Sequence, residues 1–340
     1  MILLWGLTGD HPFDAVRTAL TRRRARFTVI DQRLVQHTRA TLRTGTRATG
    51  TIESGAARVP LHHVDAVYWR TYDVRRLPAL RVATDTATNT ATATDAATDA
   101  ATDADTTTAT ATDRVHAAWA LEDAILGWLE LTDARVVNRP SAMASNNSKP
   151  YQSEILRAHG FHVPATLITT DPQAALAFWT DTSSVVYKSI SGTRSIVARL
   201  TESHLPRLGD ITSCPTQFQQ YIPGRDHRVH VVGERVFACE VRSNADDYRY
   251  PLHADQAPRL RATTLPAEIV EQCVTVTHAL GLHLSGIDLR RAPDGRWFCF
   301  EVNPSPGFTY YQAHTGQPIA DAIANLLAHT DQRALPGPSR

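Results

Sequence analysis

Lysine is nearly missing from this chain of 340 residues: of its 35 basic side chains only Lys149 and Lys188 are lysines, and the rest are Arg. A sequence that fills its cationic positions with Arg tolerates Arg on its surface. Where it keeps a compact ammonium on a flexible stem, a point-charge contact to phosphate is the role that suits it. Other scarcities exclude whole classes. Cys214, Cys239, Cys273 and Cys299 are the only cysteines and have no CxxC spacing. That argues against zinc and against a disulfide framework, and for reduced thiols in a cytoplasmic protein. No stretch approaches the roughly 20 apolar residues of a membrane span, and the apolar run Met1–Gly6 is too short for a signal peptide. Net charge is +1, which provides no field for nucleic acid or an anionic membrane. Thr8-Gly9-Asp10 lacks the rest of a GxGxxG pattern, against a dinucleotide site.

Hydrophobic residues make up 42% of the chain, enough for two or three domains with real cores. Ile2 to Leu7 reads as a buried strand, a helix follows from residue 12 or 13 to about Arg24, and Phe27 to Asp31 reads as a second strand. Strand, helix, strand at this spacing opens a parallel sheet. Val59 to Leu61 and Ala66 to Trp69 read as further strands. The latter ends in Arg70-Thr71-Tyr72, at the carboxyl end of a strand, where open sheets usually meet ligands. Residues 84–113 are almost wholly Ala, Thr and Asp, with nothing large to bury, and read as a disordered or weakly helical insertion.

Helical periodicity resumes from Val115 to Leu129. A strand over Val136 to Pro140 leads into the polar loop 145–150, which carries Lys149, and a helix from Tyr151 to His159 ends at Gly160. Asp171-Pro172 opens another helix. The strand Val185 to Ser189 delivers Lys188 into Ser191-Gly192-Thr193-Arg194-Ser195, a hydroxyl-rich loop whose backbone can fold over phosphates. A linker over 201–213 precedes a meander of three strands, 216–222, 226–232 and 236–242, with Asp226, Arg228 and His230 on one face. Arg228 and Arg242 are its candidate anion contacts. A polar loop occupies 244–249, and Ala267 to Gly281 is a helix.

Two alternating segments follow, Ser285 to Arg291 and the strand ending in Glu301-Val302-Asn303, joined by Pro293-Asp294-Gly295. A two-residue turn would set Asp288 directly opposite Glu301, whereas a four-residue turn would make them diagonal neighbours on one face. Asn303 shares that face. Opposed carboxylates ask for a cation, and three oxygen ligands without His or Cys suit magnesium. A closing helix from Gln317 to about His329 ends in a loose tail, 331–340.

In this order the motifs resemble those of the ATP-grasp ligases. They are Lys149 before a helix, Lys188 at a strand end before a small-residue loop, Gln219-Gln220-Tyr221-Ile222-x-Gly-x-Asp226-x-Arg228, and Asp288 with Glu301-x-Asn303-Pro-Ser-Pro-Gly. The resemblance implies an α/β architecture: an N-terminal parallel-sheet domain (1–135, carrying the insertion) and two α+β lobes, 136–205 and 206–330, clamping ATP. It implies that Lys149 and Lys188 bind ATP phosphates with Ser191, Gly192 and Thr193, and that Gln219, Gln220, Tyr221 and Ile222 hold the adenine. Asp226 would contact the ribose, and Asp288, Glu301 and Asn303 two magnesium ions. Arg228 and Arg242, with Lys188, would stabilise the transferred phosphate. Arg70, Tyr72, Arg194, Arg290 and Tyr310 are candidate substrate contacts. The activity implied is conversion of a carboxylate to an acyl phosphate, then to an amide or ester, with ADP and phosphate released. The acceptor is an amine or hydroxyl, either on a small molecule or on a ribosomal precursor peptide as in graspetide synthetases. A phosphotransferase or a nucleotide-binding protein is the rival of another class. Monomer and homodimer are both open.

Overall fold

The structure, a computed structural model, describes residues 1–45, 48–77, 80, 111–190, 197–243 and 258–329. The insertion up to residue 110, the loop residues Ser191, Gly192, Thr193 and Arg194, the polar loop 244–249 and the tail lie outside the described residues. By its internal contacts the chain divides into two units, Met1–Ala142 with the segment from Ala320 on, and Met143–Ile319.

The first unit is built on an all-parallel sheet in the order β2-β1-β6-β7, with β1 Ile2–Gly6, β2 Phe27–Asp31, β6 Ala66–Arg70 and β7 Arg135–Val137. Every residue of β1 is buried, as expected of a central parallel strand covered on both faces. Helix α1 (His11–Arg22) starts at the N-cap Asp10, whose carboxylate accepts from the Phe13 N–H, and buries Phe13, Val16 and Leu20. Those positions lie three and four apart, one stripe of a helix. Helix α2 (Ala111–Leu131) buries Val115, Ile125, Trp128 and Leu129. A three-stranded antiparallel sheet, β3 Thr38–Arg43, β4 Thr49–Ser54 and β5 Ala57–Pro60, also belongs here. The sequence reading found only its last strand, because the Thr- and Arg-rich β3 and β4 bury little.

The second unit contains two antiparallel sheets. One, ordered β10-β9-β11-β8, is formed by Ala198–Arg199, Val185–Ser189, Thr216–Gln220 and Thr166–Thr169. Helix α4 (Pro172–Asp181) and a 3-10 segment, Glu202–Ser213, close a core of Ala175, Val185, Leu208, Ile211 and Phe218 beneath it. The expected 201–213 linker is thus part of the core wall. The other sheet, ordered β14-β13-β12-β15-β16, comprises Arg259–Thr263, Arg235–Arg242, Arg225–Val232, Leu284–Arg291 and Trp297–Asn303. Helix α5 (Ala267–Ala279) packs on it through Cys273 and Val276, with a buried Thr277–Ser285 hydroxyl bond of 2.7 Å. Helix α6 (Thr309–Thr315) packs on β14. Helix α7 (Ile319–Ala328) groups with the first unit, where Arg22 and Arg23 pair with Asp321 and the Arg135 guanidinium donates to the Leu326 carbonyl at 2.6 Å. An arginine on the last carbonyls of a helix completes its open end.

Candidate active site

The five-stranded sheet has one row of opposed charges. Arg228 on β12 pairs in register with Asp288 on β15, and Asp288 with Glu301 on β16. The opposition of the two carboxylates is the one expected of a two-residue turn, but the hairpin reaches it otherwise. Ala292 N–H donates to the Arg296 carbonyl at 2.9 Å, so the loop is the three residues Pro293–Gly295, with Gly295 at φ +89°. That shifts the register by one, and a bulge after Asp288, opposite Phe300, shifts it back. A left-handed third loop residue is what such loops require, and bulges re-aim side chains beside functional sites.

Two cations face this row. Arg228 forms an ion pair with Asp288, and the Lys149 ammonium lies 2.8 Å from Glu301 Oε1. Lys149 is the first residue of helix α3 (Lys149–Ala158), not part of the loop before it; Ser148 caps the helix and Pro150 follows. One turn on, Gln152 is 1% exposed and fixes the helix to β16, donating to the Val302 carbonyl at 2.8 Å and accepting the Val302 N–H at 3.0 Å. The amide occupies both polar groups of an edge strand and holds Lys149 beside Glu301. Burial raises the Glu301 pKa, but Lys149, then Lys188 and Arg228, outweigh it and hold the carboxyl below its ordinary value. Lys188 therefore belongs to the same field. It lies on β9 opposite Gln217, on the face away from the Phe218 core.

A match to the family profile described as a RimK-like ATP-grasp domain covers residues 145–327, more than half of the chain. The chain belongs to the RimK-like ATP-grasp family. Zebrafish (Danio rerio) beta-citrylglutamate synthase B is 28% identical over 236 residues, which are 64% of this chain and 57% of that protein. The chain thus spans little more than half the length of that relative. The ATP-grasp fold extends further: a Chryseobacterium gregarium RiPP-associated ATP-grasp ligase, solved with ADP and a leader and core peptide, superposes at TM-score 0.76 with 21% identity over 98% of each chain. The macrocyclase MdnC of Microcystis aeruginosa MRC, solved with its precursor peptide MdnA, gives TM-score 0.75 and 21% identity over 97% of this chain and 100% of that one.

Within this ATP-grasp unit the other expected residues are distributed unevenly. Asn303 shares the Glu301 face, and its Oδ1 accepts the Ser305 N–H at 2.8 Å. Asp226 is held by a two-pronged pair with Arg290, at 2.6 and 3.0 Å, and Arg290 also donates to the Ile222 carbonyl at 2.8 Å. Arg290, expected at the substrate, thus ties β15 to Asp226 and to the segment joining the two sheets. In that segment the Gln220 N–H donates to Ala165 O and the Tyr221 N–H to Ser184 O, both at 2.8 Å, so these groups are already engaged. The Gln219 amide donates to Thr166 Oγ1 at 2.9 Å.

Arg242 is not brought to the Arg228 row. The pleat puts Asp226, Arg228 and His230 on the face shared by Val241 and Cys239, and Arg242 on the other. There its Nε donates to Glu240 at 2.5 Å. The sequence reading took both arginines of the meander as anion contacts and did not count the alternation between strands. Tyr310 is exposed on α6, while Tyr311 is buried against Arg228 and His230, with ring centres 5.8 Å from the guanidinium and 5.2 Å from the imidazole. Phe308, at the foot of the same helix, is fully buried.

His230 is a residue whose environment the sequence could not convey. It is 1% exposed, neither ring nitrogen makes a hydrogen bond, and burial together with Arg228 drives its pKa well below the usual value. The neighbouring register position on β15 is Gly286. A Cβ there would stand 2.6 Å from Pro306 Cβ and 3.3 Å from Arg228 Nη2, so the glycine lets the Pro-rich turn and the guanidinium close over the strand. His227 instead packs edge-on against Trp297 at 4.7 Å on the opposite face.

Arg70 and Tyr72 belong to the first unit. Arg70 Nε donates to Asp10 at 2.6 Å and the Tyr72 hydroxyl to the same carboxylate at 3.0 Å. Among the described residues no helix is long and apolar enough to cross a membrane, and no three His, Cys, Asp or Glu side chains cluster as a metal site.

Proposed function

We propose that the chain is an ADP-forming ligase that activates a carboxylate with ATP and joins it to an amine or hydroxyl on a peptide. The observation that carries the reading is the Lys149–Glu301–Asp288–Arg228 row, with Lys188 in its field: two opposed carboxylates among three cations, on the sheet of an ATP-grasp unit. Asp288, Glu301 and Asn303 offer hard oxygen donors without His or Cys, which fits magnesium. Two carboxylates and an amide, with phosphate oxygens completing the shells, suit two ions. Bound magnesium would neutralise charge on the phosphates being transferred.

The chain's own residues supply the rest. Lys149 and Lys188 bind the phosphates as point charges. When a nucleotide and its metal enter, Lys149 exchanges the Glu301 carboxylate for phosphate. Arg228 has a buried Nε with no hydrogen bond, a donor available to the carboxylate being phosphorylated. Phosphoryl transfer needs positioning and positive charge more than a covalent nucleophile. The γ-phosphate moves to the substrate carboxylate and ADP leaves. The acceptor then attacks the acyl carbon, the C–O bond to phosphate breaks, and the acceptor proton passes to solvent or phosphate. We place the adenine at the peptide groups of Gln220 to Ile222 not already engaged, with the ribose near Asp226.

A peptide substrate is supported by the fold match over nearly the whole chain to ligases solved with precursor peptides. Side-chain ester or amide crosslinks in such a peptide are the products we assign. A small amino-acid acceptor is the second reading, favoured by the sequence match to beta-citrylglutamate synthase. ADP release should be measured over a panel of acids and peptides with and without amines, with mass analysis of the products. Loss of water from a peptide supports the first reading and a free amino-acid amide the second. Hydroxylamine should trap a hydroxamate; an active substrate that yields none would refute the acyl phosphate.

A further inference from the structure

The face of the five-stranded sheet opposite the Arg228 row carries a second set of like charges in register. Arg242 on β13 is paired directly with Arg259 on β14, and Arg225 on β12 with Arg291 on β15. Because Asp226 faces Val241, the next position sets Arg225 beside Arg242. Four arginines thus stand in one row across four adjacent strands. Arg261, one step along β14, faces Glu240.

Among the described residues Glu240 is the only carboxylate paired with them. It is 6% exposed and is approached by Arg242 at 2.5 Å, Arg261 at 3.6 Å and Arg225 at 3.9 Å. Arg259 and Arg291 are exposed and have no ion partner among the described residues. Like charges directly opposed on a sheet are destabilising, and here two such pairs adjoin. One buried acid cannot balance five guanidinium groups.

We propose that this row is a docking surface for an acidic peptide segment carrying Asp or Glu at alternate positions. Glu240 shows the chemistry, since one carboxylate already gathers three guanidinium groups, and the planar fork of Arg matches carboxylates two prongs at a time. The dimensions agree. Strands about 4.8 Å apart make the row roughly 14 Å long, the span of three acidic residues at i, i+2 and i+4 of an extended chain. RNA fits less well: the whole chain has a net charge of +1, and the ring in register with Arg291, Trp297, is packed on His227 instead of open for stacking. The surface is distinct from the ATP-grasp face and does not depend on the ligase reading.

The test is fluorescence anisotropy of the full chain, without nucleotide, against a labelled peptide of alternating Asp and Ala, its Asn/Ala counterpart and a single-stranded RNA. The Asp peptide should bind about tenfold or more tightly than the Asn peptide and lose affinity with salt. The double charge reversal Arg259→Glu with Arg291→Glu should cost about tenfold or more in affinity for the Asp peptide. The milder pair Arg259→Gln with Arg291→Gln should cost less, and neither pair should lower the melting temperature, since each relieves two opposed like charges. Equal binding of the two peptides, wild-type affinity in the reversed variant, or tighter binding of the RNA overturns the proposal.

Discussion

Two clusters of charge in this molecule use the same residue types to opposite ends. In the first unit Asp10, Arg70 and Tyr72 satisfy one another: the carboxylate takes the guanidinium, the phenol and the Phe13 N–H of α1, and the Asp10 and Arg70 side chains are only 7% and 12% exposed. In the second unit Asp288 and Glu301 oppose one another, each leaning on a cation, with side chains 27% and 25% exposed. In the first cluster the donors that meet Asp10 are already engaged with it, and a ligand would have to displace them. The second holds like charges together and keeps them reachable, which is worth its cost only if another group completes it. Charge alone therefore does not mark a site; charge left in excess and accessible does.

The comparison breaks first at the open cluster. Glu301→Gln or Asp288→Asn should lower ADP formation by about 10²–10³-fold, the scale of removing one electrostatic contact to a transferring group. Circular dichroism and the melting temperature should barely change, since the backbone ladder holds the hairpin. Normal turnover in either variant would end the metal assignment. At the closed cluster the expected loss is of stability. Arg70→Met leaves Asp10 buried without its cation and should cost about 3 kcal/mol in urea unfolding. If stability holds while substrate affinity falls, Arg70 is a contact after all and the contrast fails. Next in size, Lys188→Arg should slow ADP release by about tenfold although charge is kept, because the wider planar head cannot replace a point contact at phosphate.

Much of the open cluster was legible beforehand. Two lysines in a chain of arginines, and acids separated by a turn with alternating flanks, identified Lys149, Lys188, Asp288 and Glu301 without coordinates. Alternation also placed Asp226, Arg228 and His230 on one face. What stayed hidden depends on contacts between distant segments. The compensating turn and bulge of the hairpin, the Gln152 clamp 150 residues from its partner Val302 and the Arg290–Asp226 pair leave no local pattern. Arg242 was misplaced because its face follows from the pairing of β12 with β13. Strands β3, β4 and β14 were missed because Arg and Thr dominate them and few large apolar residues mark a buried face.

A half-buried acid in the first unit sharpens the contrast from the other side. Glu122 on α2 lies in a neighbourhood short of cations: burial, then Asp73, push its pKa up to about 7, while the Val74 N–H and Arg75 pull it down less. Without an assembly of cations such as surrounds Glu301, the carboxyl responds by taking up a proton. The folded state then holds a proton that the unfolded chain releases near its ordinary value of 4.5. Stability is lost as pH rises from there through about 7 and is flat above. Glu122→Gln, which keeps the shape and removes the titration, should leave stability unchanged near pH 4. At pH 8 it should raise stability by about 1 kcal/mol, allowing for the screening of a partly exposed group. Urea unfolding at the two pH values checks it: equal gains at both would mean that packing, not charge, sets the difference, and no gain at pH 8 would mean that Glu122 is already compensated.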